Sequence, residues 1–91
     1  MKEMKFNGHE KAQAKVLYYG DGSFALKSYN TIVAAVDAEG WLHVNGLYSM
    51  TTIKHLGWFA KLVGTSYYTL KQLLLDGLDM NIHTGEVREW A

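Results

Sequence analysis

The chain has 91 residues, room for one hydrophobic core and not for two. Apolar residues make up 48% and charged residues 20%, a balance that fits a folded globular domain and argues against disorder. Nine Lys+Arg against nine Asp+Glu leave no net charge, and there is no cysteine. No global field therefore steers the chain onto nucleic acid or membrane, and disulfide scaffolds, thiolate zinc sites and cysteine nucleophiles are excluded.

Residues 1–13 are polar and aperiodic and read as a mobile or late-docking N-terminal arm of a single domain spanning 1–91. They contain no apolar stretch of the kind a signal peptide needs, so a cytoplasmic location is expected. Apolar runs elsewhere are a few residues long, far short of the roughly 20 that span a bilayer, so no membrane is expected as a partner.

From Lys15 the pattern becomes period two. Val16 and Tyr18 alternate with Lys15, Leu17 and Tyr19, Gly20-Asp21-Gly22 supplies a turn, and Phe24 and Leu26 form the inner face of the return strand. Ser28 to Thr31 is turn-prone. Ile32 to Val36 is apolar on both faces, as in a central strand covered by a helix. Asp37-Ala38-Glu39-Gly40 reads as another hairpin loop, with Trp41 to Val44 as the next strand.

Near Ser49 the period changes from 2 to 3.6. Ser49, Thr51 and Thr52 are candidate N-caps for a helix running to about Val63, with Ile53, Leu56, Phe59, Ala60 and Val63 on its inner stripe and Gly64 as its stop. Thr65 or Ser66 caps a second helix with Tyr67, Leu70, Leu73 and Leu74 inward, ended at Asp76-Gly77. Leu78, Met80 and Ile82 then alternate with Asp79 and Asn81, and a turn at His83 to Glu86 leads into Val87 to Trp90. The expected fold is α+β: an antiparallel meander of three to five strands, covered on one face by a two-helix hairpin, with a C-terminal β-hairpin.

Residues 51–75 hold Lys54, Lys61 and Lys71 and no acid, whereas residues 76–91 hold Asp76, Asp79, Glu86 and Glu89 against Arg88 alone. At roughly 100° per residue, Trp58 projects about 140° away from Ile53, beside Lys54, Lys61 and Leu62. An aromatic anchor flanked by lysines is the composition of an interface hot spot, and the arm or the C-terminal hairpin folding over Trp58 is the competing reading. The expected partner-binding residues are Lys54, Trp58, Lys61, Tyr68 and Lys71.

Within WFAKLVGTSYYTLKQLL, the spacing of Ala60, Gly64, Leu70 and Leu73, with Phe59 and Val63, resembles a helix-turn-helix. Its second helix offers one Lys, one Gln and no Arg, which is thin for base reading, so DNA is the secondary partner. The histidines at 9, 43, 55 and 83 have no metal-ligand spacing and no carboxylate beside them on one face, so they read as isolated surface or rim side chains. Ser49, Thr51 and Thr52 near His55 are explained by helix capping. No phosphate-binding loop or nucleophile elbow is present; no enzyme activity, metal or cofactor is expected.

The stretch LKSYNTIVAAVDAEGWLHVNGLYSMTTIKHLGWF carries Ser28, Tyr29, Thr31, Val33 and Ala34, then a Gly-containing hairpin, then Tyr48, Ser49, Thr51, Thr52, His55 and Leu56. This pattern is similar to a group of small uncharacterised proteins of phages and mobile elements of Gram-positive and gut bacteria. The long second helix and the acidic C-terminal hairpin depart from that group. The resemblance implies a phage-type context inside a host bacterium, where small non-catalytic proteins bind and block host machinery or regulate transcription. It implies a counter-defence binder, such as an anti-CRISPR protein acting on a CRISPR effector or host nuclease. A second copy of the chain and DNA are the alternative partners.

Overall fold

Among the described residues, seven strands lie side by side in chain order, every neighbouring pair antiparallel, and two helices inserted between the fifth and sixth strands cover one face. The computed structural model describes residues 1–46 and 49–90, so Tyr48 of the sequence pattern lies outside the described residues. The strands are β1 (Lys2–Lys5), β2 (Ala14–Tyr18), β3 (Phe24–Ser28), β4 (Thr31–Val36), β5 (Trp41–Val44), β6 (Leu78–Asn81) and β7 (Val87–Glu89). The helices are α1 (Met50–Leu62) and α2 (Tyr67–Asp76).

The turn chemistry accounts for the meander. Gly20 and Gly22, at φ of +89° and +95°, reverse the chain between β2 and β3. Between β4 and β5, the Asp37 carboxylate accepts from the backbone N–H groups of Glu39 and Trp41 at 3.0 and 2.9 Å. Gly40 closes that turn at φ +96°, and a Cβ there would stand 2.5 Å from the His83 ring. Opposite Leu26 and Lys27, β4 contributes one extra residue, Val33, as a bulge. The β3–β4 turn holds Tyr29 at φ +54°, a left-handed conformation unfavourable for a residue with a Cβ.

Ser49 caps α1 by accepting from the Thr52 N–H at 3.2 Å. Gly64, at φ +84°, ends α1 in a Schellman turn: its N–H reaches the Lys61 carbonyl, and the Thr65 N–H reaches Ala60 at 2.8 Å. Ser66 caps α2, which stops at Gly77 in the left-handed conformation. The core lies between the helices and one sheet face, where Leu56, Phe59, Ala60, Leu70 and Leu73 meet Leu26, Ala34, Val36, Leu42 and Val44. The Phe59 ring packs edge-on against Phe24 at 5.9 Å. Ile53 and Val63 of the expected inner stripe are only half-buried, because Thr52 and His55 turn inward as well.

The α+β class, the helix pair and the C-terminal hairpin are present, but the sheet is wider than the expected three to five strands. Two additions make the difference. The stretch read as an arm contains β1, which pairs with β2 from Lys2 opposite Tyr18 to Lys5 opposite Lys15. Its residues are all exposed, so an edge position gave it no alternating burial to show in sequence. The C-terminal hairpin joins the same sheet, since α2 returns the chain to the free edge of β5, where Met80 pairs with Leu42. Among the described residues no helix is long and apolar enough to cross a membrane.

Candidate functional site

Trp58 emerges from α1 one turn after Lys54 and one turn before Lys61 and Leu62, on the side away from Ile53. The loop between β1 and β2 reaches this position. His9 stacks on the Trp58 indole at 3.9 Å and 15°, and Phe6 leans against it at 5.7 Å. The loop is held in shape by its own bonds: the His9 N–H donates to Phe6, the Ala12 N–H donates to His9, and the Lys5 ammonium donates to the Ala12 carbonyl at 3.2 Å. The Lys54 ammonium lies over the indole as well, 5.5 Å from its centroid.

Trp58 is thus half-buried, with the N-terminal loop as its partial cover. It stands between two open grooves. One, about 600 Å³, is bounded by His9, Lys11 and Lys54; the other, about 440 Å³, by Phe6, Lys61 and Leu62. Lys54, Trp58 and Lys61, three of the expected partner-binding residues, are brought together here. Tyr68 and Lys71 are not in this grouping: they project from α2, with Tyr68 78% exposed. On the same outer surface of α2, Leu75 is 66% exposed, and the Gln72 amide donates to the Asp76 carboxylate at 2.9 Å. That bond occupies one of the few donors a base-reading helix would present.

Phe6, His9 and Lys11 were missed as site residues in the sequence. The only local signal was Phe6, a large aromatic in an otherwise polar stretch.

Three histidines depart from the expectation of isolated surface or rim side chains: His9, stacked on Trp58, and two others. His43 Nδ1 lies 2.7 Å from Asp79, a carboxylate thirty-six positions away in the chain and adjacent across the β5–β6 ladder. His55 is buried, 1% exposed, and its Nδ1 lies 2.7 Å from the hydroxyl of Ser28. Thr52 Oγ1 sits 3.4 Å from the same hydroxyl. Burial first, and the neighbouring Lys54 ammonium second, hold the His55 imidazole below its usual pKa, so it is neutral at physiological pH.

A serine within hydrogen-bond reach of a histidine begins a nucleophile–base pair. Here both groups are closed to solvent, Ser28 being 2% exposed, and the pair fastens β3 to α1. Its edges touch the surface aromatics: the His55 ring is 5.1 Å from Trp58 and 6.0 Å from Tyr29. Among the described residues no group of three or more histidines and carboxylates is placed to hold a metal.

No curated protein and no solved structure matches the chain. A family described as a family of unknown function, DUF8033, matches residues 2–74, from β1 through most of α2, and therefore takes in the whole Trp58 surface. On that match, which covers well over half its length, the chain belongs to the DUF8033 family.

Proposed function

We propose that this chain is a non-enzymatic phage or mobile-element accessory protein that binds a protein partner through the outer surface of α1 and α2, with Trp58 as the anchor. The observation that carries this reading is the Trp58 environment: an indole between two open grooves, bordered by Lys54, Lys61 and Lys11 against the single acid Glu10, and buttressed by His9. Buttressing removes rotamer freedom before binding, so less entropy is lost when the ring enters a partner's pocket. Leu62, Tyr68 and Leu75 extend the exposed apolar area along the helices.

The chemistry selects the partner. Residues 51–75 contain three lysines and no acid, so the complementary surface is acidic with an apolar pocket. Inhibition of a host defence nuclease is the role such binding would serve in a phage setting. The lysines would chiefly accelerate and orient association, while Trp58 would slow dissociation.

A pull-down from bacterial host lysate tests this with the wild type, Trp58→Ala and the double variant Lys54→Glu/Lys61→Glu. Circular dichroism establishes that each is folded. Truncating a buried interface Trp costs about 2 kcal/mol or more, roughly a thirtyfold loss of affinity. A partner retained at wild-type strength by both folded variants rules the reading out.

A further inference from the structure

We propose that the helix-free face of the sheet pairs two copies of this chain into a two-fold dimer. Side chains alternate across a strand, so the neighbours of the core residues Val16, Leu26 and Val36 point the other way. That second face has a low apolar floor of Leu17, Ala25 and Ala35, in register on β2, β3 and β4, of which Leu17 and Ala25 are already buried within the single chain, so the side chains around them make the contact surface. Among the described residues the helices pack only against the opposite face.

The two ends of this face differ in charge. Lys15 and Lys27 stand opposite each other on β2 and β3 at one end, where Glu3 of β1 lies 3.5 Å from the Lys15 ammonium and leaves Lys27 as the unpaired charge of the two. At the other end are the Asp21 turn of the same two strands and Asp37 at the end of β4. Large aromatics border the acidic end. Tyr19 is 45% exposed, and Trp41 carries the Arg88 guanidinium 4.0 Å above its ring. Arg88 is steadied there by Asp37 and Asp79 at 3.9 and 3.8 Å. Between these groups, over Ala35, lies a hollow of about 300 Å³. Tyr, Trp and Arg around a floor of small residues is an interface composition.

A two-fold axis lying across the strands sets the basic end of one copy over the acidic end of the other. Lys27, with Lys15 held by its own Glu3, then meets the partner copy's Asp21 turn and Asp37, and this happens twice by symmetry. An axis along the strands gives no such pairing. Seven strands about 4.8 Å apart and about five residues long offer a face of roughly 30 by 16 Å. Two copies would bury on the order of 900 Å², the low end for a specific interface, so the dimer is weak and reversible. Both helix surfaces face outward in this arrangement, which displays two Trp58 sites.

Sedimentation velocity on the purified chain, from about 1 to 200 μM, reads the association directly, with an expected Kd on the order of 10 μM. Raising salt from about 50 to 500 mM should weaken it severalfold. Lys27→Glu should weaken it about tenfold, and Tyr19→Ser, an exposed change that leaves the strand charge intact, should also weaken it. Tyr68→Ser, on the opposite side of the molecule, should leave it unchanged. A monomer throughout the range overturns the proposal. So does a dimer abolished by Tyr68→Ser and untouched by both sheet-face variants.

Discussion

Replacing Ser28 with alanine tests the interior contact between β3 and α1. The hydroxyl lies 2.7 Å from His55 Nδ1, and the two side chains are 2% and 1% exposed, so water does not replace the lost partner without opening the core. A buried polar group left without its hydrogen bond costs about 1–3 kcal/mol, and the removed oxygen leaves little cavity, so we expect Ser28→Ala to lose about 2 kcal/mol. For a domain of this size each kcal/mol shifts Tm by about 4–8 °C, so thermal unfolding should begin some 8–16 °C lower. The double variant Ser28→Ala/His55→Leu replaces both polar partners and should cost less than the sum of the single changes. The assay is thermal and urea denaturation followed by circular dichroism. A Ser28→Ala protein within about 0.5 kcal/mol of wild type would refute the reasoning, because a surface substitution costs no more than that.

Three further outcomes follow from the same fold. Gly40→Ala forces a side chain into the left-handed region and sets its Cβ 2.5 Å from His83, so we expect a loss of about 2 kcal/mol or more in denaturant titration. His55 has a lowered pKa in the fold while the unfolded chain protonates it near pH 6.5; protonation therefore favours unfolding, and stability should fall as pH drops below about 6.5. The difference between wild type and His55→Gln in melting curves from pH 7.5 to 5 isolates that contribution, and parallel curves would contradict it. Random duplex DNA at low salt should show weak or no retardation at micromolar protein, given zero net charge and the Gln72–Asp76 bond on α2; strong, steeply salt-dependent binding would favour the helix-turn-helix reading.

The elements that announced themselves were those with one wet and one dry face. The helical stripe of Leu56, Phe59 and Ala60, the stops at Gly64 and Gly77, and the hairpins at Gly20 and Gly40 follow from periodicity and turn chemistry. β1 did not, since all four of its residues are exposed on an edge and its pairing is set by β2. The joining of β6 to β5 is a long-range event that local pattern does not encode. Trp58 was visible as an anomaly on its helix, and the N-terminal arm as one of two segments that could fold over it; that the arm does so, and that His9 supplies the stack, required the fold, because that contact spans forty-nine positions. Ser28, Thr52 and His55 were legible as parts of a sequence pattern; their meeting in the interior required the fold.

The claim that the helix surface is the binding surface is tested most directly by site-specific photocrosslinking in host lysate, with benzoylphenylalanine introduced at Leu62 or at Tyr19. Leu62 borders the Trp58 groove and Tyr19 lies on the helix-free sheet face, so the two probes report opposite sides of the molecule. The account predicts a crosslink from position 62 to a host protein, lost on adding Trp58→Ala, and from position 19 a crosslink only to a second copy of the chain. A host protein captured from position 19 and not from position 62 would contradict it.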